Sequence, residues 1–107
     1  MPNMMKLMKQ AAAVQKDMER LQEELAHRTS EFTAGGGMVK ACARGDGSLA
    51  SIKIDPRVID PAEPALLEDM VLAAANGALD AAKKMAAGEM SKITATLGMP
   101  GMFGGKL

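Results

Sequence analysis

The feature that most limits what this chain can become is a pair of period-two runs set around a Gly-Asp-Gly turn. Residues 39–44 read Val-Lys-Ala-Cys-Ala-Arg and residues 49–54 read Leu-Ala-Ser-Ile-Lys-Ile, with Gly45-Asp46-Gly47 between them and Gly35-Gly36-Gly37 ahead. Alternation of this period, bounded by glycines, is the signature of a β-hairpin. Successive strand side chains point to opposite faces, so Val39, Ala41 and Ala43 with Ala50, Ile52 and Ile54 form one apolar face. Lys40, Arg44 and Lys53 fall on the other. Gly45 and Gly47 are expected to supply the positive φ of the reversal. Two strands alone are marginal in water, so the apolar face needs a cover.

The flanking segments supply it. From about Asn3 to Arg28 the residues Met4, Leu7, Ala11, Val14, Met18, Leu21 and Leu25 recur at alternating spacings of three and four, a heptad seam suited to pairing with a similar helix. Asn3 is placed to cap that helix. Thr29 to Ala34 reads as a first strand with Phe32 and Ala34 inward. After Ile54, prolines break the strand, and Asp60-Pro61 or Glu63-Pro64 starts a last helix with acids in its first turn, running to about Leu97. Leu67, Val71, Ala74, Ala78, Ala82 and Met85 line one stripe of it, continued by Met90, Ile93 and Leu97. Gly77 and Gly88 within that helix mark close packing or a bend. The fold class is therefore α+β: a long N-terminal helix, a three-stranded antiparallel sheet and a long C-terminal helix. Residues 1–97 make one domain, and the Gly- and Met-rich residues 98–107 are expected to be a flexible tail.

Composition removes several function classes. The chain has 13 Lys and Arg against 13 Asp and Glu, so no global basic field announces a nucleic-acid partner. Two Phe with no Trp or Tyr offer little surface for stacking single-stranded bases. One cysteine excludes an internal disulfide. With no signal-peptide pattern and no membrane-length apolar stretch, the expectation is a soluble cytosolic protein with no membrane partner. Catalysis has little to use: His27 ends a charged helix, Cys42 has no base beside it, and the triple glycine lacks the Lys-Ser/Thr of a phosphate loop. The methionines read as core filler. No enzyme activity, metal or cofactor is expected.

Charge along the first helix is uneven. Its first sixteen residues hold Lys6, Lys9 and Lys16 and no acid, whereas the next dozen hold Asp17, Glu19, Glu23 and Glu24 against Arg20 and Arg28. Two readings follow. One is a solvated face laced by pairs such as Asp17 with Arg20 and Glu24 with Arg28. The other is a basic helix tip that meets phosphates.

Taken together, the motifs resemble the YbaB/EbfC nucleoid-associated proteins. The resemblance lies in Leu7-Met8-Lys9-Gln10, Gln22-Glu23-Glu24, Gly37-Met38-Val39-Lys40, Ile54-Asp55-Pro56, Leu67-Glu68-Asp69-Met70-Val71 and Ala73-Ala74-Ala75-Asn76, and it covers nearly the whole chain. It implies a tweezer-like homodimer whose helical arms bind double-stranded DNA in the bacterial nucleoid. Lys9 and Arg20 match basic positions of the family. The family's Asn-Asp-Ala reads Asn76-Gly77-Ala78 here, and its following basic pair is displaced to Lys83-Lys84. The expected DNA contacts are thus Lys6, Lys9, Lys16, Arg20, Lys83 and Lys84, reaching mainly phosphates. The alternative is a dimeric adaptor that binds another protein.

Overall fold

The computed structural model of the protein describes residues 3–96. The elements are α1 (Met4–Leu25), β1 (Thr29–Ala34), β2 (Val39–Arg44), β3 (Leu49–Ile54), one 3-10 turn (Pro56–Val58) and α2 (Pro64–Thr96). The expected tail from residue 98 lies outside the described residues. The three strands form one antiparallel sheet in the order β1-β2-β3, so the α+β reading holds.

Turn chemistry explains the strand limits. Gly35, Gly36 and Gly37 all have positive φ and reverse the chain between β1 and β2. In the second turn only Gly47 does so, at φ 92°. Gly45, expected to share that role, is needed instead for close approach: a Cβ there would stand 2.9 Å from the Leu25 carbonyl oxygen. Its N–H donates to the Arg28 carbonyl at 2.9 Å, tying the hairpin turn to the end of α1. Asp46 accepts from the Ser48 N–H and hydroxyl, and these bonds hold its carboxyl below the usual value.

β2 alternates as expected, with Val39, Ala41 and Ala43 fully buried. β3 departs from its simple alternation. Val39 pairs with Ile54, Ala41 with Ile52 and Cys42 with Ser51, but a bulge after Cys42 sets Ala43 opposite Leu49. Two residues of β3 are spent on one of β2, so Leu49 takes the inner face where Ala50 was expected.

α2 crosses the inner face. Its Ala74, Ala78 and Ala82 are fully buried against Val39, Ala41 and Ala43, with Leu67, Met70, Val71 and Leu79 packed around them. Small residues on both sides let the helix lie close on the strands. Gly77 belongs to the same contact, because an added Cβ there would strike the Phe32 ring. α2 begins at Pro64 with no acid in its first turn, since Glu68 and Asp69 fall one turn later. Met90, expected on the apolar stripe, is 37% exposed.

α1 is capped as expected: the Asn3 side chain accepts from the Met5 and Lys6 N–H groups at 3.0 and 3.3 Å. It stops at Leu25 rather than Arg28, and only Leu21 and Leu25 of its seam are buried. The N-terminal part projects beyond the sheet, leaving Met4 and Leu7 at 67% and 50% exposed.

Gly77→Ala should lower the melting temperature, because moving the Phe32 ring is an overpacking change costing about 1–3 kcal/mol. Phe32→Ala should remove most of that added cost in the double variant. Gly88→Ala meets nothing within 4 Å, and should stabilise by about 0.5–1 kcal/mol. Thermal unfolding at one protein concentration measures all three.

Candidate nucleic-acid interface

A helix advances about 100° per residue, so Lys6, Lys9, Lys16 and Arg20 fall within an arc of about 80°, centred about 100° from Leu21 and about 140° from Leu25. The stripe is about 21 Å long. All four side chains are exposed. Arg20 donates to Asp17 at 2.9 Å, the intrahelical pair expected from spacing. Lys6, Lys9 and Lys16 carry no ion pair among the described residues.

The sign of this arrangement is informative. A helix N-terminus carries a partial positive charge, and stabilising sequences put acids there and bases at the other end. α1 does the reverse, with three lysines and no acid through residue 16 and four acids against Arg20 in residues 17–25. Its side chains reinforce the backbone dipole instead of cancelling it. The tip is a concentrated positive field that helix stability does not require.

The second expected pair lies elsewhere. Arg20 and Leu21 face Lys92 and Ile93 across a cleft between the two helices. Counting helical rise from that crossing in each direction, Lys83 and Lys84 sit about 30 Å from Lys9. Lys84 pairs with Asp80 at 3.3 Å, while Lys83 is exposed about 100° around the helix and carries no ion pair among the described residues. The six expected contacts therefore form two separate groups.

At the base of the arms a clasp was not foreseen. Arg28 reaches Glu89 of α2 at 3.3 Å, not Glu24 as helical spacing suggested, because α1 ends at Leu25 and Arg28 turns into β1. Glu89 also accepts from Lys92 at 3.0 Å, and its side chain is 22% exposed. These two bonds, Lys92 first, hold its carboxyl below its ordinary value. On the outer sheet face Lys40 stands directly opposite Lys53 and reaches Glu31 at 3.8 Å. Arg44 is occupied with the Ser48 hydroxyl and the Leu49 carbonyl.

The other unforeseen feature is apolar. Leu49 and Ile52 of β3 and Leu67, Val71, Leu72 and Ala75 of α2 line an open groove. Leu49, Ile52 and Leu72 remain 39%, 38% and 60% exposed. The β3 bulge, which turns Leu49 inward, had no signal in the local sequence. His27 is exposed and Cys42 is a half-buried free thiol. No grouping of His, Cys, Asp and Glu among the described residues could hold a metal, and no helix there is long and apolar enough to cross a membrane.

Residues 1–97 match the model of the YbaB/EbfC DNA-binding family, a family of DNA-binding proteins and not of enzymes. The chain is 50% identical over 101 residues to a nucleoid-associated protein of Pelotomaculum thermopropionicum, covering 94% of this chain and 96% of that one. It is equally similar to a nucleoid-associated protein of Thermoanaerobacter pseudethanolicus, at 50% identity covering 94% and 91%. The crystal structure of an uncharacterized Helicobacter pylori protein has the same fold, with a TM-score of 0.64 at 21% identity over 94% of this chain and all of that one.

The clasp gives a pH dependence of known sign. A carboxyl held lower in the folded state stabilises at pH above its unfolded value and loses that effect as pH falls. Contact between the arms at Glu89 should therefore weaken as pH drops below 4.5, the ordinary value for this group. Carboxyl-detected NMR titration should place the Glu89 midpoint below 4.5. Arg28→Ala should move the midpoint back upward.

Proposed function

The chain belongs to the YbaB/EbfC DNA-binding family, and on that premise we propose that it is a nucleoid-associated protein binding double-stranded DNA as a homodimer. The contacts are mainly to phosphates, and the role is in organising the nucleoid or regulating genes there. The observation that carries this is the α1 tip, where Lys6, Lys9 and Lys16 are exposed, carry no ion pair among the described residues and add to the helix dipole. Lysines on flexible stems reach phosphates without selecting bases, so binding is broad in sequence. Arg20 extends the stripe, and Lys83 and Lys84 form a secondary contact. Residues 1–97 are the functional unit, with residues 98–107 dispensable for fold.

Dimerisation is supported by what a single chain leaves open. The radius of gyration is 19.7 Å, against about 13 Å for a compact chain of this length. The groove on β3 and α2 and the uncovered seam of α1 are apolar surfaces that a second copy covers. In the dimer the basic tip is presented twice, which compensates for a net charge of zero.

Salt dependence tests the phosphate contacts. Each phosphate neutralised contributes roughly −0.9 to the slope of log affinity against log salt. Replacing Lys6 and Lys9 together by Ala should weaken binding to all duplexes and flatten the slope by about two to four units, counting both subunits. Lys83 and Lys84 replaced together should have the smaller effect. The opposite ranking moves the site to α2. An unchanged slope in both double variants moves it to the sheet lysines or removes DNA.

The dimer has its own test. Leu72→Glu places a charge in the groove at a residue 60% exposed in the single chain, so the fold tolerates it. In sedimentation at micromolar concentration the wild type should run as a dimer and this variant as a monomer. A monomeric wild type overturns the dimer.

A further inference from the structure

The seam and the basic stripe do not account for all of the α1 tip. Met5 and Met8 lie between them, about 40° and 100° around the helix from Lys9 on the side opposite Lys6. They are 68% and 67% exposed, Met5 about 20° from Lys16 of the basic stripe and Met8 about 40° from the seam residue Met4. Met5 thus stands beside Lys9 and Met8 beside Met5, in a field that attracts phosphate. A surface apolar in its middle and cationic along its edge suits a major groove, whose floor carries thymine methyls and whose walls carry phosphates. An α-helix of about 10–12 Å diameter matches the roughly 12 Å width of that groove and not the narrower minor one. Met5 and Met8 are separated by about 4.5 Å of helical rise, between the roughly 3.4 Å of one base step and the roughly 6.8 Å of two.

Resting on the DNA-binding reading above, we propose that the α1 tip enters the major groove and seats Met5 and Met8 against thymine C5-methyl groups. Lys9 and Lys16 meanwhile hold the phosphates of the adjoining wall. The lysines then supply affinity without sequence, and the methionines add a preference for thymine-bearing steps that needs no hydrogen bond to a base. Methionine suits this use, being unbranched and adaptable to irregular apolar surface.

The test compares the full chain on a thymine-containing duplex and on the same duplex with every thymine replaced by uracil, which removes the methyls and keeps the charge. Wild type should bind the uracil duplex about fourfold more weakly for each methyl a methionine covers. Met5→Gln with Met8→Gln should bind both duplexes alike with an unchanged salt slope, since glutamine has nearly the helix propensity of methionine and both sites are exposed. Met5→Leu with Met8→Leu should keep the preference. Equal wild-type affinity for the two duplexes, or a preference surviving in the glutamine variant, overturns the inference while leaving phosphate binding intact. A glutamine variant that loses the dimer in sedimentation overturns it too, by assigning these methionines to a subunit contact. Absence of salt-dependent wild-type binding to either duplex overturns both the inference and the DNA-binding reading.

Discussion

Everything in this molecule hangs on the close contact between α2 and the inner face of β2. Among the described residues, five of the eight buried hydrophobic ones are alanines, and Val39 is the largest fully buried side chain. Such a contact permits a short helix-to-sheet distance but removes little apolar area from water, since burial stabilises by about 25 cal/mol per Å². It positions the parts well and stabilises each only modestly. Gly77 extends the same logic by accepting the Phe32 ring where any Cβ would strike it.

A core of that kind leaves the larger apolar side chains on its margins. Leu49 and Ile52 on one side and Leu67, Val71 and Leu72 on the other line a groove that no described residue fills. The bulge after Cys42 contributes directly, because it turns Leu49 toward α2 while Ala50 drops out of register. The arms repeat the pattern at greater distance. α1 is anchored by Leu21, Leu25 and the Arg28–Glu89 clasp, and the rest of its length extends away from the sheet. Anchored bases with projecting tips give a small chain long reach, visible in principal extents of 74 × 28 × 16 Å.

Electrostatics act on top of this frame. A chain with no net charge can still present a strong local field if its charges are sorted, and α1 sorts them along its own dipole. The acids near its C-terminal end are partly used, Asp17 by Arg20. The lysines at the other end carry no ion pair among the described residues. Only the fold makes that sorting effective, because it carries the tip clear of the acids of α2.

Much of this was legible in the residues alone. The strand pattern of β1 and β2, the reversal at the triple glycine, the Asn3 cap and the alanine stripe of α2 all follow from local periodicity and local hydrogen bonding, which act over a few residues and survive in one dimension. The charge polarity of α1 was equally plain. What only the tertiary structure decided depends on segments distant in sequence. The partner of Arg28 is Glu89, since the chain turns before helical spacing can bring Glu24 into play. Gly45 serves an approach to Leu25, and Gly77 an approach to Phe32. Leu49 faces inward through a bulge set by cross-strand pairing, and Lys83-Lys84 stand apart from Lys9 because the helices cross near Leu21 and Ile93. Each of these is a three-dimensional meeting, and a chain's periodicity does not record which of its distant parts will meet.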